Sequence, residues 1–117
     1  MSTVRAGKLG ERIALQILRK KGYKILQRNF RSNFGEIDIV AEDYGTLVFV
    51  EVKTRWSKKF GNPEEAVTPR KLRSIIKTGD YYKLTHPNTP NLIRIDVVAI
   101  DIEGKKAKAR LIRNASL

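Results

Sequence analysis

Asp38, Glu51 and Lys53 are the residues of this chain whose types and spacing could do chemistry together. Asp38 lies in Glu36-Ile37-Asp38-Ile39-Val40-Ala41, and Glu51 and Lys53 lie in Leu47-Val48-Phe49-Val50-Glu51-Val52-Lys53. Both stretches are rich in β-branched and aromatic residues, and Glu42-Asp43-Tyr44-Gly45 between them has hairpin chemistry, with Gly45 free to take a positive φ. Side chains alternate across a strand, so Glu36 and Asp38 share one face of the first strand, and Glu51 and Lys53 one face of the second. A two-residue loop at Tyr44-Gly45 pairs Asp43 with Thr46, and a four-residue loop from Asp43 to Thr46 gives the same register, which puts Asp38 opposite Glu51 and Glu36 opposite Lys53. A three- or five-residue loop breaks that match.

Cross-strand partners have Cβ atoms ~4.5 to 5.5 Å apart, and two carboxylates at that separation repel unless something compensates. A hard cation such as Mg²⁺ or Mn²⁺ would do so, taking one or two carboxylates, waters and substrate phosphate oxygens. Lys53, on the face of Glu51, would orient or activate the attacking water and stabilise charge on the phosphate. These parts add up to phosphodiester hydrolysis. The competing reading is an ion-pair network within the sheet, with Lys53 neutralising Glu51. Glu36 is a further candidate ligand that could instead pair with Lys53 or a nearby arginine.

The charge balance points the same way. The 117 residues carry 24 Lys or Arg against 12 Asp or Glu, a formal net charge of +12. Such an excess calls for a polyanionic partner, because each neutralised phosphate releases counterions. Nucleic acid is the leading candidate. The acids are also unevenly placed: Glu36, Asp38, Glu42, Asp43 and Glu51 fall in a stretch from Ser32 to Val52 that has no Lys or Arg, with basic sequence on both sides. Acids that only kept a surface soluble would be interspersed with bases.

Other chemistries are excluded. With no cysteine and His86 as the only histidine, the chain has no disulfide, thiolate or His-rich metal site, so metal ligands must be oxygens. No apolar run exceeds the length of Leu47–Val50, far short of the roughly 18 residues of a membrane span, so a cytoplasmic protein with no membrane partner is expected. At 41% hydrophobic and 31% charged residues, residues 1–117 should fold as a single domain.

The elements that must position these residues follow from periodicity. Ala6, Leu9, Ile13, Ala14, Ile17 and Leu18 recur at helical spacing from Thr3 to Lys21, with Gly22 as the stop. Arg5, Lys8, Arg12 and Arg19 cluster on the polar side of that helix, and Glu11 projects at the edge of its apolar stripe. Tyr23 to Phe30 reads as a weak strand preceding the hairpin. Thr54 to Pro63 is expected to be a loop in which Arg55, Trp56, Lys58, Lys59 and Phe60 could meet phosphates and stack on bases, although the aromatics could equally pack on the core. Asn62 or Thr68 can cap a second helix, with Leu72, Ile75, Ile76, Gly79 and Tyr82 buried and Arg70, Arg73 and Lys77 outside. Strands from Leu92 to Asp101 and from Lys106 to Arg113 complete an α/β protein, a mixed central β-sheet flanked by helices in the order α-β-β-β-α-β-β. Arg94 and Asp96 share a strand face and should pair with each other, with a site role for Asp96 as the weaker alternative.

The two core motifs, with Gly10-Glu11, Gly22-Tyr23, Arg28-Asn29, Arg31, Phe60-Gly61, Lys71, Arg94 and Asp96-Val97-Val98, resemble the YraN-like family of bacterial proteins. That family is a branch of the PD-(D/E)XK nuclease superfamily related to archaeal Holliday junction resolvases. The resemblance implies a restriction-endonuclease-like fold, Asp38 and Glu51 as metal ligands with the Val52 carbonyl, Lys53 as the catalytic lysine and Glu11 as an added helix-borne acid. Ile37 stands where the eponymous motif has proline. The implied activity is a Mg²⁺-dependent endonuclease on branched or structured DNA, acting as a homodimer as resolvases do. The alternative is an accessory module of the same fold that binds nucleic acid without cutting it.

Overall fold

The computed structural model describes residues 3–56 and 67–115, with side chains from Gly7 onward. The expected order of elements is present: α1 (Thr3–Lys20), β1 (Lys24–Ser32), β2 (Gly35–Asp43), β3 (Thr46–Arg55), α2 (Pro69–Thr85), β4 (Leu92–Glu103) and β5 (Lys106–Ile112). Lys58, Lys59 and Phe60 of the expected substrate loop, the alternative cap Asn62 and the side chain of Arg5 lie outside the described residues.

Local chemistry sets the helix ends. At the end of α1 the Tyr23 N–H bonds back to the Leu18 carbonyl and the Gly22 N–H to that of Arg19, both at 3.0 Å, with Gly22 at φ 90°. This reciprocal closure needs a left-handed residue, which glycine adopts without strain. α2 starts at Pro69, and the Thr68 hydroxyl accepts the Lys71 N–H at 3.2 Å, satisfying one of the unpaired donors of the first turn.

The sheet order is β1-β2-β3-β4-β5. β3 and β4 are parallel, with α2 in the crossover between them, and all other neighbours are antiparallel. On one face Ala14, Leu15 and Leu18 of α1 pack on Ile39, Ala41, Val48, Val50, Val98 and Ile100. On the other, Ile75 and Tyr82 of α2 pack on Phe30, Ile37, Val40, Leu47, Phe49 and Val97. Burial on both faces explains why Leu47–Val50 and Val97–Ile100 are continuously apolar rather than alternating. Each such side chain contributes about 1.5 to 3 kcal/mol when fully buried.

Three sequence expectations are corrected here. Ile76 is exposed, because the buried stripe of α2 is Ile75, Thr78, Gly79 and Tyr82, and Ile76 stands a further ~100° around the helix. Gly79 belongs to that stripe because a side chain there would run into the ring of Phe49. Arg55 is the last residue of β3 rather than a loop residue, since parallel pairing with β4 continues through Thr54↔Ile100 to Arg55↔Asp101. The third concerns the hairpin register and shapes the site.

Candidate active site

β2 and β3 pair from Asp43↔Thr46 to Ile39↔Val50, in the phase expected from the turn. The paired register stops one residue before Asp38 and Glu51. In place of a main-chain acceptor, the Asp38 carboxylate itself accepts the Val52 N–H at 2.7 Å. Asp38 is thus not an ordinary cross-strand partner of Glu51, and the paired register does not reach Glu36 and Lys53 either. Glu36 lies opposite Arg31 of β1, whose Nε is 3.7 Å from its carboxylate.

The cause is a break in side-chain alternation. Ile37 packs on the α2 side and Ile39 on the α1 side, although strict alternation would give them one face. The β1 partners behave alike: Phe30, opposite Ile37, packs on the α2 side, while Arg28, opposite Ile39, reaches Glu11 of α1. Between Arg28 and Phe30, Asn29 holds φ at 53°, a left-handed conformation that asparagine tolerates better than most residues. The step in both strands brings Asp38 to the place where β2 and β3 part.

Glu51 lies on the α2 side of β3, between Val50 and Val52, which both pack toward α1. Its side chain is 13% exposed, Lys71 Nζ approaches its Oε2 at 3.7 Å, too long for a hydrogen bond, and Oε2 has no hydrogen-bond partner among the described residues. Burial, and then the neighbouring Asp38 charge, push the Glu51 carboxyl up to about 7, against the pull of Lys71 and Lys53. Burial likewise raises the Asp38 carboxyl above its usual range, and the Val52 N–H only partly offsets this. Two neighbouring, largely buried but not fully enclosed acids that disfavour each other's ionisation are a costly arrangement unless a cation joins them.

Glu11 is bound across to β1. Its carboxylate takes Arg28 Nε at 2.9 Å and Asn29 Nδ2 at 3.1 and 3.3 Å, so it is an anchored acid rather than a solvated one. α1 comes close to the sheet here because Gly10 has no side chain to meet the hydroxyl of Thr54. Between α1 and β1 runs a cleft of about 840 Å³ whose lining includes Glu11, Asp38 and Val52 together with Lys8, Arg12, Arg19, Arg28 and Arg31. The cleft is an acidic floor in a basic rim.

The remaining candidates divide. Lys8, Arg12 and Arg31 are exposed on the cleft rim. Arg70, Arg73 and Lys77 are exposed on α2, and Lys77 Nζ lies 5.7 Å over the ring of Phe34. Trp56 is exposed just beyond β3, whereas Arg55 has a buried Nη2 without a hydrogen-bond partner among the described residues. Asp96 belongs to a separate network. It is fully buried and accepts Tyr23 Oη at 2.7 Å, Arg94 Nε at 2.8 Å, Arg94 Nη2 at 2.9 Å and the Asn114 N–H at 3.0 Å. Arg94 also holds Asp43 at 2.7 Å.

Lys71, Arg28 and Asn29 stand at the site without having been assigned to it from the sequence. The signal for Lys71 was its place on α2 beside Arg70 but rotated toward the sheet, which is visible only once the buried stripe is set at Ile75 and Gly79.

Comparison with known proteins bears on this arrangement directly. Residues 10–100, which carry Glu11, Asp38, Glu51, Lys53 and Lys71, match "Uncharacterised protein family UPF0102". The chain belongs to this family. UPF0102, the YraN-like family, is part of the PD-(D/E)XK nuclease-like superfamily. Among UPF0102 relatives, a protein of Syntrophomonas wolfei is 51% identical over 93% of this chain and 95% of its own length. One from Persephonella marina is 50% identical over 80% and 81% of the two chains, and one from Caldicellulosiruptor bescii 46% identical over 98% and 99%.

Proposed function

We propose that this UPF0102 protein is a metal-dependent endonuclease that hydrolyses phosphodiester bonds in DNA, with branched or otherwise structured DNA as the favoured substrate. The observation that carries the reading is the buried Oε2 of Glu51, which lies beside Asp38 and among the described residues has no hydrogen-bond partner and only a 3.7 Å ion pair with Lys71. A carboxylate oxygen without a hydrogen bond, next to a second acid, fits a hard divalent cation. Asp38, Glu51 and the Val52 carbonyl would hold Mg²⁺ or Mn²⁺. Among the described residues no three acids or histidines form a closed metal cage, so water and phosphate oxygens would complete the shell, as is usual for Mg²⁺.

When bound, the ion supplies Lewis-acid polarisation of the phosphate and a more acidic water. The chain's own residues supply the rest. The Val52 N–H fixes the Asp38 carboxylate through a 2.7 Å bond. Lys71 holds the Glu51 carboxylate from the α2 side. Lys53, on the strand face of Glu51, places positive charge for the attacking water and the pentavalent phosphate. Glu11 keeps Arg28 and Asn29 turned to the cleft. The basic rim draws the polyanion to this floor.

The test is cleavage of end-labelled four-way junction, flap, single-stranded and duplex DNA with Mg²⁺, Mn²⁺ or EDTA, beside Asp38→Ala and Lys53→Ala. Metal-dependent cutting lost in both variants is expected. Salt-sensitive binding without any cutting would replace this reading with the non-catalytic accessory module.

A further inference from the structure

Where β1 turns into β2, Arg31, Ser32, Asn33 and Phe34 enclose a recess of about 280 Å³ with Tyr81 of α2. That volume is at the small end of ligand sites, which run from roughly 300 Å³ upward. Two aromatic rings are left open there: Phe34 is 53% and Tyr81 45% exposed. They are not on a loose loop. The Ser32 hydroxyl accepts the Phe34 N–H at 3.0 Å, the Phe34 carbonyl accepts the Ser74 hydroxyl of α2 at 2.7 Å, and Ser32 and Thr78 share a hydroxyl contact at 3.1 Å. Gly35, at φ 145°, allows the close approach, since a side chain there would strike Ser74. Tyr81 is backed by the ring of Phe30, stacked at a centroid separation of 6.1 Å.

A tethered turn that presents open aromatics has the parts of a stacking platform, and its charges suit a nucleotide. Among the described residues no acid lines the recess, Lys77 lies over the Phe34 ring, and Asn33 offers an amide to a base edge. Arg31 connects the recess to the catalytic cleft, because it lines both and its side chain is 77% exposed despite its loose contact with Glu36. Aromatic platforms beside cationic tracks are how proteins hold single strands, since every base has a π-face.

We infer that the recess receives an unpaired base of a DNA strand whose phosphates pass Arg31 into the cleft, so that the protein acts on DNA carrying an unpaired nucleotide beside the cut rather than on a fully paired duplex. The path of the strand rests on the nuclease reading; the occupancy of the recess does not.

The experiment is binding in EDTA, where nothing is cut, of the full chain to fluorescein-labelled DNA of one sequence presented as single strand, fork with unpaired arms and blunt duplex. A 2-aminopurine in the unpaired arm reports stacking. Wild type is expected to prefer the fork and single strand and to quench 2-aminopurine. Phe34→Ala should weaken those two by roughly tenfold, the lower range for one stacked base, and leave the duplex unchanged. Tyr81→Leu, which keeps an apolar cover for Phe30, should act in the same direction. Equal affinity of wild type for all three DNAs, or equal losses on all three in the variants, overturns the proposal. A parallel cleavage assay in Mg²⁺ separates the two readings. Stacking without cutting keeps the recess and removes the nuclease, and cutting of blunt duplex unaffected by Phe34→Ala does the reverse.

Discussion

The Asp38 carboxylate accepts the Val52 N–H just beyond Ile39↔Val50, the last paired position of β2 and β3. A side chain has replaced a main-chain acceptor, so the edge of β3 stays satisfied while the strands separate and open the floor of the cleft. Asp38 therefore has two duties that substitution can separate. Asp38→Ala should abolish cleavage and cost about 1 to 3 kcal/mol in denaturant unfolding, because the Val52 N–H loses its partner. Asp38→Asn keeps a carbonyl acceptor and removes a charge that burial disfavours. It should match or exceed wild-type stability while remaining inactive.

Metal-free stability should fall as pH rises through the range set by Glu51. Its carboxyl titrates near 4.5 when unfolded and at about 7 when folded, so between those values the native state holds the extra proton. Stability then decreases with rising pH, by a total of order 3 kcal/mol at 1.36 kcal/mol per pH unit. Thermal unfolding in EDTA at pH 5 and pH 8 measures this. Glu51→Gln should flatten the profile, and added Mg²⁺ should raise the wild-type midpoint more at pH 8 than at pH 5 while leaving the variant unmoved.

Arg12 lines the cleft rim from α1 with its side chain exposed. Arg12→Ala should weaken binding evenly across DNA sequences and lower the slope of log affinity against log salt by about 1, the signature of one lost phosphate contact. Anisotropy titrations at several salt concentrations check it. A slope that does not change would remove Arg12 from the DNA track.

Asp96 offers the contrasting case of a buried acid outside the cleft. Its carboxylate is saturated by Tyr23, Arg94 and the Asn114 N–H, and it ties β4 to the end of α1 and to the segment after β5. Asp96→Ala leaves Arg94 without its main partner and should cost about 3 to 5 kcal/mol in chemical denaturation. At temperatures where the variant remains folded, its cleavage rate should stay close to wild type. A selective loss of cleavage with little loss of stability would instead bring Asp96 into the site.

The elements and the hairpin phase were legible in the sequence because they rest on local chemistry. Alternating β-branched residues around Tyr44-Gly45 determine which residues of β2 and β3 face each other. Gly22 and Thr68-Pro69 set a helix end and a helix start, and Asp38, Glu51 and Lys53 stand on those strands whatever lies around them. Membership of the family followed from the same residues. The tertiary structure alone decided where the pairing of β2 and β3 stops, since that depends on the alternation break shared by Asn29 and Asp38 across two strands. It also decided that Glu11 holds Arg28 and Asn29, that Lys71 covers Glu51 and that Tyr23 and the Asn114 N–H close around Asp96, whose pairing with Arg94 was already legible from their shared strand face. Apart from the Arg94–Asp96 pair, each of those contacts joins residues well separated along the chain, and periodicity and spacing carry no information about partners that meet only when helices fold onto opposite faces of a sheet.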